Sequence, residues 1–74
     1  MTINFDIESH VGKISCNDEY SKQVNIGSWN GRKSVIDIRQ WRGDKPLKGI
    51  TVTKEEAAIL IELLQEAMAA EELQ

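Results

Sequence analysis

Arginine and tryptophan stand close together near the middle of the chain, in the sequence VIDIRQW of residues 35–41. In a β-strand, Asp37, Arg39 and Trp41 would share one face, with isoleucines on the other. Aromatic rings stack on unpaired bases, at roughly 1–3 kcal/mol per base, while neighbouring cations contact the phosphates. We therefore expect the Asp37 face to point away from the core and to bind single-stranded nucleic acid, with Trp29 on the same face of the adjacent strand.

Most of the lysines and arginines lie in the same part of the sequence. Residues 22–48 contain seven lysines and arginines and two aspartates, whereas residues 54–74 contain one lysine and six glutamates. The net charge is −3, but a local positive field is what an anionic partner meets. The predicted nucleic-acid-binding residues are Trp29 and Trp41 as stacking rings, with Arg32, Lys33, Arg39, Lys48, Lys22, Arg42, Lys13 and Lys45 as cations near the phosphates.

Catalytic and metal-binding sites are not expected from this sequence. The glycines do not form a G-x-G-x-x-G phosphate-binding motif, and His10 has no nucleophile at a suggestive spacing. One cysteine and one histidine cannot supply a tetrahedral zinc site, nor one cysteine an internal disulfide. Cys16 alternates with Ile14, so we expect a buried thiol. We predict a binding protein that is not an enzyme and that has no catalytic residue, metal or cofactor.

The composition predicts one small soluble domain over residues 1–74. Apolar residues make up 41% of the chain and charged residues 28%, as in ordinary globular proteins. No apolar run approaches the length of a membrane span, and the N-terminal segment lacks the basic and apolar parts of a signal peptide. We expect a cytoplasmic protein in a reducing compartment, with no membrane partner.

Alternating apolar residues predict the first β-strand. Ile3, Phe5 and Ile7 alternate with polar residues, and the pattern resumes at Ile14 after an interruption at Gly12. One long curved strand is favoured over two short strands joined by a tight turn, because a single glycine is a common site for a bulge.

Turn residues divide the rest of the predicted sheet. Asn30 and Gly31 suit a type I′ turn, in which both central residues need positive φ. A second arm of this hairpin should cover residues 33–41. The glycine, aspartate and proline of residues 42–48 predict a loop, and residues 49–53 predict a short strand whose two apolar side chains point inward.

One helix is predicted after the last strand. Its N-terminus is marked by Thr53 and Glu56, which fit a capping box. The helix should run from about residue 54 to about residue 70. Two apolar stripes follow the helical spacing. The first, expected to cover the sheet, contains Ala57, Leu60, Ile61, Leu64 and Met68. The second contains Ile59, Leu63 and Ala70. Since one stripe is enough to cover the sheet, we expect the second to form the interface of a homodimer.

The order of these motifs resembles the positive cofactor four family of transcriptional coactivators, and above all its small bacterial members. The shared elements lie in residues 22–66 and begin with hydrophobic-Asp-Ile-Arg, closely followed by an aromatic residue. A basic loop, Lys-Gly-Ile and a polar cap that opens a helix with an acidic first turn come next. The tripeptide SWN before the central hairpin is also similar to bacterial members.

The resemblance implies both a fold and a function. The implied fold is an α+β domain in which a curved four-stranded antiparallel sheet is followed by one C-terminal helix (β-β-β-β-α), and the helix and sheet end form a homodimer. The implied function is single-stranded DNA binding with low sequence specificity, in an accessory factor of transcription or DNA maintenance. Arg39 and Trp41 match the motif's arginine and aromatic residue. Lys48 and Gly49 match its Lys-Gly, and Asp37 matches an aspartate that we expect to be structural.

Two other interpretations use the same surface. Single-stranded RNA would fit it equally, because no residue here distinguishes the 2′-hydroxyl. The aromatic face could instead hold a peptide, which would make the domain a protein-interaction module. A structural interpretation also stands: Trp41 would cover the sheet edge or pack in the dimer seam, and Arg39 and Asp37 would form an exposed ion pair that contributes little stability.

Overall fold

The computed structural model describes residues 5–72, which form a four-stranded antiparallel sheet followed by one helix. The elements are β1 (Phe5–Cys16), β2 (Tyr20–Trp29), β3 (Val35–Arg42), β4 (Lys45–Val52) and α1 (Lys54–Ala69). The strands lie in the order β1-β2-β3-β4, so that each pairs with the next in the chain. The predicted fold class is confirmed. Ile3 of the predicted first strand lies outside the described residues.

β1 is a single strand, as predicted, and its pairing with β2 is irregular. The register shifts between Ile7 and Ser9, between His10 and Gly12, and between Lys13 and Ser15. Bulges of this kind bend a strand and interrupt its alternation of faces. The prediction of a buried Cys16 is wrong: Cys16 is exposed, and so is Ile14, with which it alternates, because α1 contacts β3 and β4 and not β1.

The turn between β2 and β3 forms where the sequence predicts it. Asn30 and Gly31 have φ values of 50° and 74°, the positive values that a type I′ turn requires. The Trp29 carbonyl accepts a hydrogen bond from the Arg32 N–H at 2.9 Å. β3 then begins at Val35 rather than at residue 33.

The predicted loop over residues 42–48 is wrong. Gly43 and Asp44 alone form the turn between β3 and β4, with Gly43 at a φ of 61°. β4 already begins at Lys45. Pro46, which favoured the loop, is tolerated because β4 lies at the edge of the sheet, where a missing N–H on the outer side is not needed for pairing.

The sheet has a polar face and an apolar face, and their burial is the reverse of the prediction. The polar face, defined by the pairing of β2 with β3, contains Ser21, Gln23, Asn25, Gly27, Val35, Asp37, Arg39 and Trp41. Asp37 and Asn25 on this face are 0% and 1% exposed. The apolar face contains Val24, Ile26, Ile36, Ile38, Ile50 and Val52. Its side chains are half-buried or exposed, and Ile50 points into solvent rather than into a core.

Long side chains cover the polar face, which explains the burial of Asp37. The guanidinium of Arg39 lies 2.6 Å from the Asp37 carboxylate. Its Cζ also lies 5.8 Å from the centre of the Phe5 ring, although β2 separates the strands of these two residues. The Phe5 ring lies over Gly27, which has no side chain to hold it away. The polar face is closed by its own side chains rather than by a second layer.

α1 begins with the predicted capping box at Thr53 and Glu56. The Glu56 N–H donates to Thr53 Oγ1 at 3.1 Å, and the Thr53 N–H donates to Glu56 Oε1 at 2.8 Å. The helix ends at Ala69, with Ala70 as its C-cap, close to the predicted end. No helix within residues 5–72 has the length and hydrophobicity needed to cross a membrane.

The prediction that the first stripe of α1 covers the sheet is wrong. α1 contacts β3 and β4, but of this stripe only Ala57 and Leu60 are half-buried. Ile61, Leu64 and Met68 are exposed, because the helix leaves the sheet after its first turns. Among residues 5–72, no hydrophobic side chain is fully buried. The apolar face and the helix therefore leave most of their apolar surface uncovered within one chain.

Candidate nucleic-acid interface

A buried ion pair lies at the centre of the polar face. Arg39 Nε donates to both carboxylate oxygens of Asp37, at 2.8 and 2.7 Å, and Arg39 Nη2 lies 2.6 Å from Asp37 Oδ1. Arg39 Nη1 donates to the Leu47 carbonyl at 3.1 Å. The guanidinium is therefore held from two sides. The expected structural role of Asp37 fits this geometry, whereas the interpretation of the pair as a surface ion pair is wrong.

Gly49 makes room for the ion pair. It pairs with Arg39 in the register of β3 and β4. A Cβ at position 49 would lie 2.5 Å from the Ile38 carbonyl oxygen and 2.6 Å from Arg39 Cα. Real Cβ atoms do not approach so closely, so the glycine of the Lys-Gly motif has a steric reason.

A row of hydrogen-bonded polar side chains runs along β2 on the polar face and reaches β1 at His10. His10 Nδ1 lies 2.6 Å from Asn25 Oδ1. Asn25 Nδ2 donates to Gln23 Oε1 at 3.4 Å, and Gln23 Nε2 donates to Ser21 Oγ at 2.9 Å. Sequence reasoning missed these residues. The sequence did contain a signal for them, because Asn25 lies an even number of residues from Trp29 in the same predicted strand and therefore on the same face.

Trp29 lies at one end of the polar face and packs on Phe5. The two ring centres are 4.7 Å apart, with planes inclined by 56°. This is a tilted aromatic contact of the kind that stabilises a fold. Trp29 is half-buried, so part of its ring surface remains available to a ligand.

Trp41 lies at the other end of the polar face, opposite Ser21. It is half-buried, and its Nε1 is buried without a hydrogen-bond partner among the described residues. The distance from Ser21 to Trp29 along β2 is about 26 Å at about 3.3 Å per residue. The two tryptophans share a face, as predicted, but they mark its two ends and cannot stack on adjacent bases of a compact site.

The predicted cations do not all lie on the polar face. Lys22 pairs with Gln40, which puts it on the side of the apolar face. Lys22 and Lys48 line one open cavity of about 260 Å³ whose apolar wall includes Ile14 and Ile38. A single track of cations along one face is therefore not what the structure presents.

The remaining cations are exposed around the rim of the sheet. Lys13 pairs with Gln23 in β1, Lys45 pairs with Arg42 at the β3–β4 turn, and Arg32 and Lys33 lie in the connection between β2 and β3. Arg42 Nη2 lies 2.6 Å from Glu19 Oε1. These positions bring positive charge to both ends of the sheet, and the roles of these side chains in binding stay predictions.

The residues predicted for a dimer interface are accessible along α1. Ile59 and Leu63 are 58% and 56% exposed, and Ala70 is half-buried. They lie on the helix whose other apolar stripe is also exposed beyond Leu60. The apolar surface available to a second copy is thus wider than the sequence suggested.

A family model and a known protein both match this chain. The family model described as Transcriptional Coactivator p15 (PC4) matches residues 16–63, which span β2, β3, β4 and the first part of α1. The matched segment contains the buried ion pair, Gly49 and both tryptophans. An uncharacterized protein of Treponema pallidum (strain Nichols) is 34% identical over 64 residues, covering 82% of this chain and 75% of that protein.

Proposed function

Because the chain belongs to the transcriptional coactivator p15 (PC4) family, we propose that it binds single-stranded DNA with little sequence preference. The observation that carries the proposal is the polar face within the family segment, with a fixed arginine at its centre and half-buried tryptophans at its ends. Aromatic rings and arginine planes suit unpaired bases of any identity. We propose binding without catalysis, in an accessory factor of transcription or DNA maintenance in the cytoplasm.

Binding would combine stacking with charge. A strand that crosses the polar face would meet Trp29 and Trp41 at the two ends, and its phosphates would lie near exposed rim cations such as Lys13 and Arg32. Each phosphate that a cation neutralises releases condensed counterions, which favours binding at low salt. A duplex keeps its bases paired and stacked, so it cannot use the tryptophans.

We also propose that the working form is a homodimer. A stable protein of this length needs either a buried core or a supplement to it, and among residues 5–72 no hydrophobic side chain is fully buried. The exposed apolar residues lie on α1 and on the apolar face. Pairing two copies through these surfaces would bury them without covering the polar face.

Fluorescence anisotropy tests the binding proposal directly. A labelled oligo(dT) of about 20 nucleotides is compared with its duplex and with the RNA strand of the same length, each at two salt concentrations. We expect tight, salt-sensitive binding to the single DNA strand and weak binding to the duplex. Tighter binding to the RNA would transfer the proposal to RNA. No binding to either single strand at low salt would contradict it and would favour a protein partner for the polar face.

A further inference from the structure

Two arginines hold carboxylates at the same distance in different surroundings. Arg42 Nη2 lies 2.6 Å from Glu19 Oε1, and these side chains are 60% and 51% exposed. Arg39 Nη2 lies 2.6 Å from Asp37 Oδ1, but here the side chains are 16% and 0% exposed. Glu19 can turn into solvent when a phosphate approaches Arg42, whereas buried Asp37 has no room to leave Arg39.

The charge of Arg39 is therefore compensated in place. Phosphate contacts contribute to affinity because a cation with net charge releases counterions from the strand. A phosphate brought to Arg39 would also meet the fixed negative charge of Asp37, and this repulsion would offset much of the attraction. Arg39 is thus a poor phosphate contact compared with an exposed lysine, although the sequence alone suggested that role.

Arg39 keeps hydrogen-bond donors for another kind of ligand. A guanidinium has five N–H groups. The Nε N–H and one Nη2 N–H point to Asp37, and one Nη1 N–H points to the Leu47 carbonyl. One N–H on each Nη therefore has no partner among residues 5–72. Two donors on a side chain that is only 16% exposed suit the acceptor edge of a flat base better than a hydrated phosphate.

Arg39 also lies beside an aromatic ring. Its Cζ lies 5.8 Å from the centre of the Phe5 ring, within the range of a cation–π contact. Arginine planes stack on the splayed bases of single strands. Stacking and edge recognition are both contacts to the base, and neither requires net charge on the arginine.

We propose that Arg39 contacts a nucleobase rather than a phosphate, and that Asp37 is the positioning residue that fixes the guanidinium and cancels its charge. This inference rests on the proposed single-stranded DNA binding. It divides the interface by chemistry: the interior of the polar face contacts bases, and exposed cations such as Lys13 contact phosphates.

A charge-neutral double substitution tests the proposal. The variant D37N/R39Q removes both charges, replaces the carboxylate with an amide of the same shape and the guanidinium with a shorter amide, and leaves no buried carboxylate without a partner. The comparison variant K13Q removes one exposed charge next to the polar face, where Lys13 pairs with Gln23. Each protein is titrated by anisotropy against oligo(dT) of about 20 nucleotides and against an abasic strand of equal length, between about 50 and about 200 mM salt.

The two variants should differ in which ligand they bind more weakly and in the salt dependence of binding. We expect D37N/R39Q to bind oligo(dT) about tenfold more weakly, with the wild-type slope of log affinity against log salt, and to bind the abasic strand as the wild type does. K13Q should reduce the slope by about 0.7 and weaken the binding of both ligands equally. A slope reduced in D37N/R39Q, an equal loss on the abasic strand, or no loss on oligo(dT) would overturn the proposal.

A second variant covers the case in which D37N/R39Q does not fold by circular dichroism. R39K keeps a charge beside Asp37 but loses the planar fork, and we expect the same loss on oligo(dT) with an unchanged slope. Wild-type affinity in a folded R39K protein would overturn the assignment. The variant results test only the role of Arg39 and leave the proposed function intact. The proposed function itself would be overturned if the wild type failed to bind oligo(dT).

Discussion

The polar face and the apolar surface of this protein differ in how far one chain completes them. On the polar face, Asp37 and Asn25 are fully buried and their hydrogen bonds are made within the chain. On the apolar side, Ile50 and the later turns of α1 remain exposed. Hydrophobic burial is the main driving force of folding, so the open apolar surface is where we propose that a second copy binds. The polar face is ready for a ligand without one.

Filling the space beneath Arg39 should have the largest effect. Gly49→Ala would place a Cβ within 2.6 Å of Arg39 Cα, and we expect a loss of about 3 kcal/mol in the free energy of unfolding. Gly12→Ala is the matched control, because a Cβ there meets no atom within 4 Å. Urea denaturation at fixed protein concentration measures both. Equal stabilities of the two variants would mean that the polar face is not closely packed.

A charge on the helix should separate the apolar surface from its partner. Leu63→Asp puts a carboxylate in the proposed seam, and we expect the dimer dissociation constant to rise at least about 100-fold. Gln65→Asp adds the same charge outside both apolar stripes and should leave the dimer intact. Sedimentation equilibrium gives both constants. A Leu63→Asp protein that stays dimeric would place the seam elsewhere, for example on the apolar face alone.

Removing an end ring should weaken binding without unfolding the domain. Trp41 is half-buried and its Nε1 makes no hydrogen bond among residues 5–72, so Trp41→Ala should cost about tenfold in oligo(dT) affinity, within the roughly 1–3 kcal/mol of one stacked base. Tyr20→Ala removes an aromatic ring from the opposite side of the sheet, where Tyr20 pairs with Arg42. It should cost less. A Trp41→Ala protein that unfolds would assign the ring to structure.

The acidic helix should make the smallest contribution, through discrimination against duplex. We expect the helix carboxylates to repel anions that approach away from the polar face. Replacing Glu62, Glu66, Glu71 and Glu72 with glutamine should then reduce the preference for single strands over duplex by a few-fold at low salt, and the difference should vanish at high salt. A preference that is unchanged at low salt contradicts this role.

Local features of the fold were predictable because local physics determines them. The capping box at Thr53 and the positive φ at Asn30 and Gly31 depend on residues close in the chain. The curved first strand followed from one interrupted alternation. Pro46 misled the prediction of a loop, because a proline marks a loop unless the strand lies at an edge, and edge positions depend on the whole sheet.

The orientation of the sheet was not predictable from alternation. A strand with polar and apolar residues in turn has two faces, and the usual rule buries the apolar one. Here Arg39 and Phe5 close over Asp37 and Gly27, contacts between strands that no local pattern contains. The rule also assumes that one chain is the unit that buries apolar surface. Ile50 is exposed, so the single chain does not bury its own apolar surface here.

The irregular pairing of β1 has a consequence for solubility. Both outer strands of an open sheet can recruit further strands and start aggregation. β1 is one of these edges, and its shifts of register disturb the regular row of backbone donors and acceptors that an added strand would need. Pro46 removes a donor from the other edge. Growth of the sheet sideways into fibres is thus discouraged at both margins.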